Sequence, residues 1–392
     1  MPNTGLPSAA EVIHQRLVDG STPGNRQDDF RLALAIEGGG MRGVVSAGML
    51  VALEQLGMTG TVDMVVGTSA GALAGAFFVD GRAVEGSVLF YTELHQEPFL
   101  DRSRLLKREA ALNLHYLVEE AAVDRGLDVT ALVANPIPLY ATVAPVDPTS
   151  DVRHFEVNGS SERVNAILKA TASLPVLAGS AKEVDGDEYL DGGLHEQIPW
   201  RTAARLGATH VLVLPSQPVT PDLELDTLSF VERVSVVPVV KRVHNDHIGD
   251  LVASLPERSS REAWNLRAVS EGRATPLERM PGHGQPRFDI VHVDESVELP
   301  GRLERDRRVL VDALIAGANA VVDHFGLGGP DAVAVEQRVV LTHPAAPVKH
   351  FRASQLIELV IERGAGGQDG DPENRRRDRR RSGGRRTEDG DD

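Results

Sequence analysis

The chain has 392 residues, 41% of them hydrophobic, 25% charged and only 4% aromatic, an ordinary globular balance that excludes collagenous, coiled-coil and wholly disordered classes. With no cysteine, disulfides, thiolate metal sites and cysteine nucleophiles are excluded, and the composition suits a reducing, cytoplasmic setting. A formal charge of -16 repels polyanions, so nucleic acid is not expected as a partner and any membrane contact must be local and transient.

Residues 1–28 are polar and turn-rich apart from a short helical pattern at Glu11–Val18, and read as an N-terminal arm. They show no basic region followed by an apolar run, and nowhere does the chain approach the ~18 continuous apolar residues of a membrane span, so neither a signal peptide nor a transmembrane segment is expected. Near-continuous apolar runs of strand length follow at Leu32–Ile36, Val62–Val66, Leu139–Ala144, His210–Leu214 and Asp289–Val293. Strands covered on both faces read this way, which implies a mainly parallel sheet. Helical patterns alternate with them at Val44–Leu56, Ala70–Phe78, Val84–Leu94, Leu112–Ala122, Glu162–Ala172, Arg201–Leu206 and Leu303–Val322, so the fold class is α/β, helices flanking a sheet. The stretch 218–286 has helical patterning without a strand-like run and reads as a helical insertion. Residues 326–363 form a C-terminal extension. From Gly364 to Asp392 a mixture of Arg, Asp and Gly without periodicity predicts a disordered tail, because it offers too little apolar area to offset the entropy of ordering. Its run Arg375–Arg381 reads as a solvated charge cluster.

Two glycine-rich turns each join a predicted strand to a predicted helix. The first is EGGGMRG, Glu37–Gly43. Glycines there let the backbone approach another molecule closely, and the helix start offers free N–H groups to an anion, as an oxyanion-binding loop requires. Gly38, Gly40 and Gly43 also satisfy Gly-x-Gly-x-x-Gly, so a dinucleotide-binding turn and a purely structural turn stay open. The dinucleotide reading needs an acidic residue closing the next strand, and Asp63 has the spacing but begins that strand. The second turn is GTSAG, Gly67–Gly71, in which small residues flank Ser69 on a strand-to-helix turn that exposes its hydroxyl. Downstream, a predicted hairpin at Ala181–Leu190 leads into Asp191, Gly192 and Gly193.

In this order, GGGMRG, GTSAG and DGG resemble the patatin-like phospholipase family of lipid acyl hydrolases, and ATASLPVLAG (Ala170–Gly179) is similar to that family's segment before its aspartate. The resemblance spans Arg31–Pro199 in motifs and implies a three-layer patatin-like fold over 29–325. It further implies that Ser69 is a nucleophile on an elbow framed by Gly67 and Gly71, and that Asp191 is its base. Gly38, Gly39, Gly40 and Arg42 would then form the oxyanion hole of a serine hydrolase acting on lipid or acyl-ester substrates, with no cofactor and no metal. One departure is the sequence Gln197-Ile198 before Pro199, where many members carry asparagine before the proline. Three alternatives remain at this point: a catalytically weak lipid-binding relative, a dinucleotide-binding enzyme, and a Ser-His-Asp esterase drawing on His195, His210 or His324. The sequence HNDH (His244–His247) offers a metal pair without a third ligand nearby. A dyad aspartate must also be more basic than in water, so Asp191 is expected buried with a raised pKa.

Overall fold

Alternate residues of β1 (Leu32–Ile36) separate two hydrophobic cores: Leu32, Leu34 and Ile36 pack into one, Ala33 and Ala35 into the other. All five are buried, as a strand covered on both faces requires. The computed structural model describes residues 6–101, 103–104, 109–219, 230–273, 286–294 and 297–327. Its sheet adds β2 (Met64–Gly67), β3 (Leu139–Pro145), β4 (His154–Glu156), β5 (Lys182–Val184), β6 (Asp187–Asp191), β7 (His210–Leu214) and β8 (Arg287–Ile290) in the order β5-β6-β3-β2-β1-β7-β8, with β4 also on β3. The run from β3 to β8 is parallel, and β4, β6 and β5 pair antiparallel at one side. The architecture is therefore α/β with a mainly parallel sheet between helical layers, as the alternating sequence pattern implied.

One layer holds α2 (Val44–Gln55), α3 (Ala70–Val79), α4 (Ala83–Thr92), α7 (Ser161–Thr171) and α11 (Arg307–His324). The opposite layer holds α8 (Trp200–Arg205) and α10 (Asp246–Ser270), where Trp200 meets Phe288 edge to face with ring centroids 5.2 Å apart. Between these come α5 (Ala122–Asp124), which continues a π-helical stretch over Tyr116–Ala121, then α6 (Val129–Ala134) and α9 (Phe230–Val243). At the N-terminus, α1 (Ala9–Asp19) is pinned by buried Arg16, which bonds Asp28 and Asp63, each at 2.7 Å.

Several boundaries differ from the sequence expectation for local reasons. The helix expected from Leu112 starts later because Asn113 Oδ1 accepts the Tyr116 N–H at 3.0 Å, a capping arrangement. Asp306 does the same for α11, accepting the Arg308 N–H at 2.8 Å, so the stretch from Leu303 stays outside the helix. The last parallel strand begins at Arg287, and Val291 N–H still reaches Val213 O at 3.0 Å. The expected extension from residue 328 onward and the expected tail lie outside the described residues. Among the described residues, no helix is long and apolar enough to cross a membrane.

Candidate active site

Both glycine turns and the start of the DGG turn lie at the same edge of the sheet: β1 runs into Glu37, β2 into Thr68, and the antiparallel β6 pairs with the far end of β3. Parallel sheets gather functional loops at the carboxyl ends of their strands. Ser69 stands between β2 and α3 with φ 54°, a left-handed conformation that costs a non-glycine residue strain and marks a functional turn. Its close neighbours explain the small residues around it. A Cβ on Gly71 would lie 2.6 Å from Ile36 O, and one on Gly38 would lie 2.6 Å from Thr68 O and 3.0 Å from Ser69 Cβ. Neither site has room for a side chain, so the two loops touch through bare backbone.

Asp191 comes to the same place. Its carboxyl is almost wholly buried at 2% exposure, Oδ1 accepts the Gly193 N–H at 2.7 Å, and Oδ2 is buried with no hydrogen-bond partner. Burial pushes its pKa up to about 6, opposed first by the Ser69 side chain and then by the Gly193 N–H and the Arg302 charge. No hydrogen bond, from Ser69 or any other described group, closes on Oδ2. Such a pKa leaves the group ionised at neutral pH and more basic than an ordinary aspartate.

The stretch Ala170–Gly179 ties both residues down: Thr171 Oγ1 accepts the Ser69 N–H at 3.0 Å and Ser173 O accepts the Asp191 N–H at 3.0 Å. Thr68 Oγ1 bonds Thr142 Oγ1 at 2.7 Å and Glu196 O at 3.0 Å, locking the elbow to the turn after DGG. These four side and main chains were not singled out in the sequence, although Thr171 and Ser173 lie in a segment that was. The altered Gln197-Ile198 context leaves the Asp191 turn intact, with His195 and Glu196 N–H groups both bonded to Gly192 O at 2.9 Å.

The amides of the glycine loop differ in what they already bind. Gly38 N–H is spent on Gln197 O at 3.1 Å, and Met41 N–H on Arg302 O at 3.0 Å. Among the described residues, the N–H groups of Gly39, Gly40 and Ala70 have no partner, Ala70 being the first residue of α3, where N–H groups are orphaned. Arg42 turns away from the cavity: Nε donates to Ser216 Oγ at 3.1 Å and Nη2 lies 3.5 Å from Glu37 Oε1. Glu37, buried, also accepts the Ser216 N–H at 2.6 Å, and burial raises its pKa. Arg42 therefore braces the loop from behind.

Beside Ser69 opens a narrow apolar cleft of about 60 Å³, bounded by Gly40, Ala70 and side chains such as Leu73, Phe90, Phe99 and Leu168. Among the described residues, no histidine lines it. His195 sits in a separate polar cavity with Glu196, Arg201 and Glu262, its pKa pushed down to about 4 by burial. His210 bonds Thr209 Oγ1 and Pro7 O, both at 3.0 Å, at the opposite end of the sheet, and His324 closes α11. Asp63 is also at that opposite end, where Arg16, Arg26 and the Leu32 N–H occupy its carboxylate, so a dinucleotide has no ribose acceptor there. In HNDH, Asn245 caps α10, and no group of three or more His, Asp or Glu able to hold a metal occurs among the described residues.

Residues 34–204 match the patatin-like phospholipase family. The chain is 27% identical over 190 residues to protein YjjU of Escherichia coli (strain K12), covering 48% of this chain and 52% of that protein. It is 26% identical over 215 residues to the neuropathy target esterase sws of Drosophila melanogaster, covering 50% of this chain and 14% of that one. It is 25% identical over 213 residues to patatin-like phospholipase domain-containing protein 7 of Mus musculus, covering 49% of this chain and 15% of that one. The chain thus spans about half the length of the bacterial relative and a small part of the animal ones. All three motifs lie inside the matched segment, while Ser216 and Arg302, which touch the glycine loop, lie beyond it.

Proposed function

We propose that the protein is a serine acyl hydrolase cleaving carboxylic esters of lipids through Ser69 and Asp191. The observation that carries this reading is the buried, unpartnered Oδ2 of Asp191 beside a serine on a strained elbow at the wall of an apolar cleft. Ser69 Oγ attacks the ester carbonyl while Asp191 Oδ2 takes its proton, and the carbonyl becomes a tetrahedral oxyanion. The free N–H groups of Gly39, Gly40 and Ala70 receive that negative charge, aided by the N-terminus of α3. The intermediate collapses by expelling the alcohol, which takes the proton back from Asp191, and leaves Ser69 acylated. A water then gives its proton to Asp191 and attacks the acyl carbonyl. Release of the carboxylic acid returns the proton to Ser69.

The cleft favours an acyl chain, since its wall is aliphatic and aromatic and burying such a chain contributes about 0.8 kcal/mol per methylene. Contact with a lipid surface would be transient and local in a protein of this net charge. The family match and the esterase and phospholipase names of the relatives support the same class of chemistry. The test is hydrolysis of a panel of acyl esters and phospholipids by wild type, Ser69→Ala and Asp191→Asn. Both variants should lose the activity, and a Ser69→Ala protein as active as wild type would reject the reading.

A further inference from the structure

The polar cavity that holds His195 lies on the α8 and α10 side of the sheet, whereas the walls of the Ser69 cleft come from the other core. It measures about 190 Å³, room for several water-sized groups. Its wall is charged: Arg153, His195, Glu196, Arg201, Arg205 and Glu262 all border it. The protein itself satisfies the two carboxyls. Glu196 Oε1 accepts the Arg201 and Thr202 N–H groups at 2.7 and 3.1 Å, and Oε2 accepts the Thr202 hydroxyl at 2.6 Å. Glu262 Oε1 accepts from Arg201 Nη1 at 2.6 Å, and the Gln197 N–H meets the same carboxyl.

The donors are left over. His195 Nε2 is buried and has no hydrogen-bond partner among the described residues. Arg153 spends only Nη1, on Ser150 O and Val152 O, so its Nε and Nη2 have no partner among the described residues. Its charge is the one felt most strongly at His195, with Arg258 next. Burial and these cations keep the imidazole neutral, and in its Nε2–H tautomer the orphaned nitrogen is a donor. Three guanidinium groups on the wall meet two carboxyls, and burial disfavours the ionised form of both, so the wall is cationic. A neutral acceptor would satisfy Nε2 and leave the guanidinium groups uncompensated, whereas an oxyanion satisfies both.

We propose that this cavity binds a compact oxyanion, a phosphate or carboxylate group, held by Arg153, Arg201 and Nε2 of His195. Gly192 also borders the cavity, and Gly192 O accepts the His195 and Glu196 N–H groups, so the bound anion rests against the back of the turn that carries Asp191. The site stands apart from the hydrolase reading and does not depend on it.

The experiment titrates the full chain with sodium phosphate and, separately, with sodium succinate by calorimetry at neutral pH and fixed ionic strength. Wild type should bind at one site with a dissociation constant of about 1 mM or tighter, and the tighter salt names the group. Arg153→Gln should weaken binding about tenfold and His195→Ala severalfold, as for losing a charge-assisted and a neutral contact. Glu262→Gln should bind at least as tightly as wild type. Ser69→Ala and Arg308→Gln, the latter in α11 of the opposite layer, should bind unchanged. In the unaltered protein the anion should also shift the His195 ring resonances, a readout that needs no variant to fold. Binding lost in Ser69→Ala and kept in Arg153→Gln and His195→Ala would place the anion at the catalytic turn and overturn the proposal. Neither heat nor resonance shift up to about 20 mM of either salt would leave a cavity filled by solvent alone and overturn it as well.

Discussion

Lowering the pH should switch off hydrolysis far above the range of an ordinary aspartate. Asp191 must be ionised to take the Ser69 proton, and burial raises its pKa from 3.8 to about 6. With that value, the ionised fraction falls from about nine-tenths at pH 7 to about one-tenth at pH 5, so kcat/KM for a neutral ester should drop about tenfold. An unshifted group at 3.8 would remain almost fully ionised at pH 5. The same shift has a stability counterpart. A carboxyl with a raised folded pKa holds its proton more tightly folded than unfolded, so its contribution is complete below 3.8 and is lost as pH rises through about 6. At 1.36 kcal/mol per pKa unit, the charged carboxyl then costs the fold on the order of 3 kcal/mol. Asp191→Asn should accordingly raise Tm at pH 8 while abolishing turnover, and should give no such gain at pH 3. The assays are a pH profile of kcat/KM from 4 to 9 and thermal melts of both proteins. A profile flat down to pH 5, together with an Asn variant no more stable at pH 8, would refute the assignment of a strained, basic carboxylate.

Gly38→Ala places a methyl 2.6 Å from Thr68 O, and pushing the glycine loop off the elbow should lower kcat by roughly a hundredfold or more, the scale of a lost oxyanion donor; wild-type kcat would show that the loop geometry is not used. Alanine at His195, His210 or His324, one at a time, should change kcat/KM by less than ~3-fold, because none borders the cleft; loss of several orders of magnitude at one of them would install a triad. Burial and the adjacent Glu196 push Glu262 up to about 8, against the Arg201 guanidinium at 2.6 Å. Its raised value means stability present below the usual glutamate range and lost as pH rises toward 8, so Tm should fall between pH 6 and 9 in wild type and stay flatter in Glu262→Gln. Parallel slopes in the two proteins would contradict that burial effect.

The parallel strands were legible because both faces of each are covered, which leaves runs such as Leu32–Ile36 and His210–Leu214 with almost no polar residue. Which face each residue takes was not legible: the split of large Leu and Ile from small Ala in β1 acquires meaning only beside α2 and Trp200. β4, three residues long, is too short for any periodic signal. At the site, Ser69 could be singled out because a nucleophile elbow demands small neighbours at fixed spacing, whereas Asp191, a commonplace turn aspartate by itself, stood out only through the resemblance carried by the three motifs together. The use of each amide could not, since it depends on partners distant in sequence. Gln197 O takes the Gly38 N–H, and buried Glu37 with Ser216 draws Arg42 away from the cleft. Arg302 was invisible for another reason: in a chain with 41 basic residues, nearly all arginine, one more carries no signal until the fold sets it beside Gly40.

Everything functional here depends on Ser69 being a nucleophile that Asp191 activates, and covalent capture tests that most directly. A fluorophosphonate probe incubated with wild type should add one phosphonyl group, mapped by peptide mass spectrometry to Ser69. Labelling should disappear in Ser69→Ala and slow by orders of magnitude in Asp191→Asn. Folded wild-type protein that stays unlabelled, or labelling of Asp191→Asn at the wild-type rate, would contradict the account.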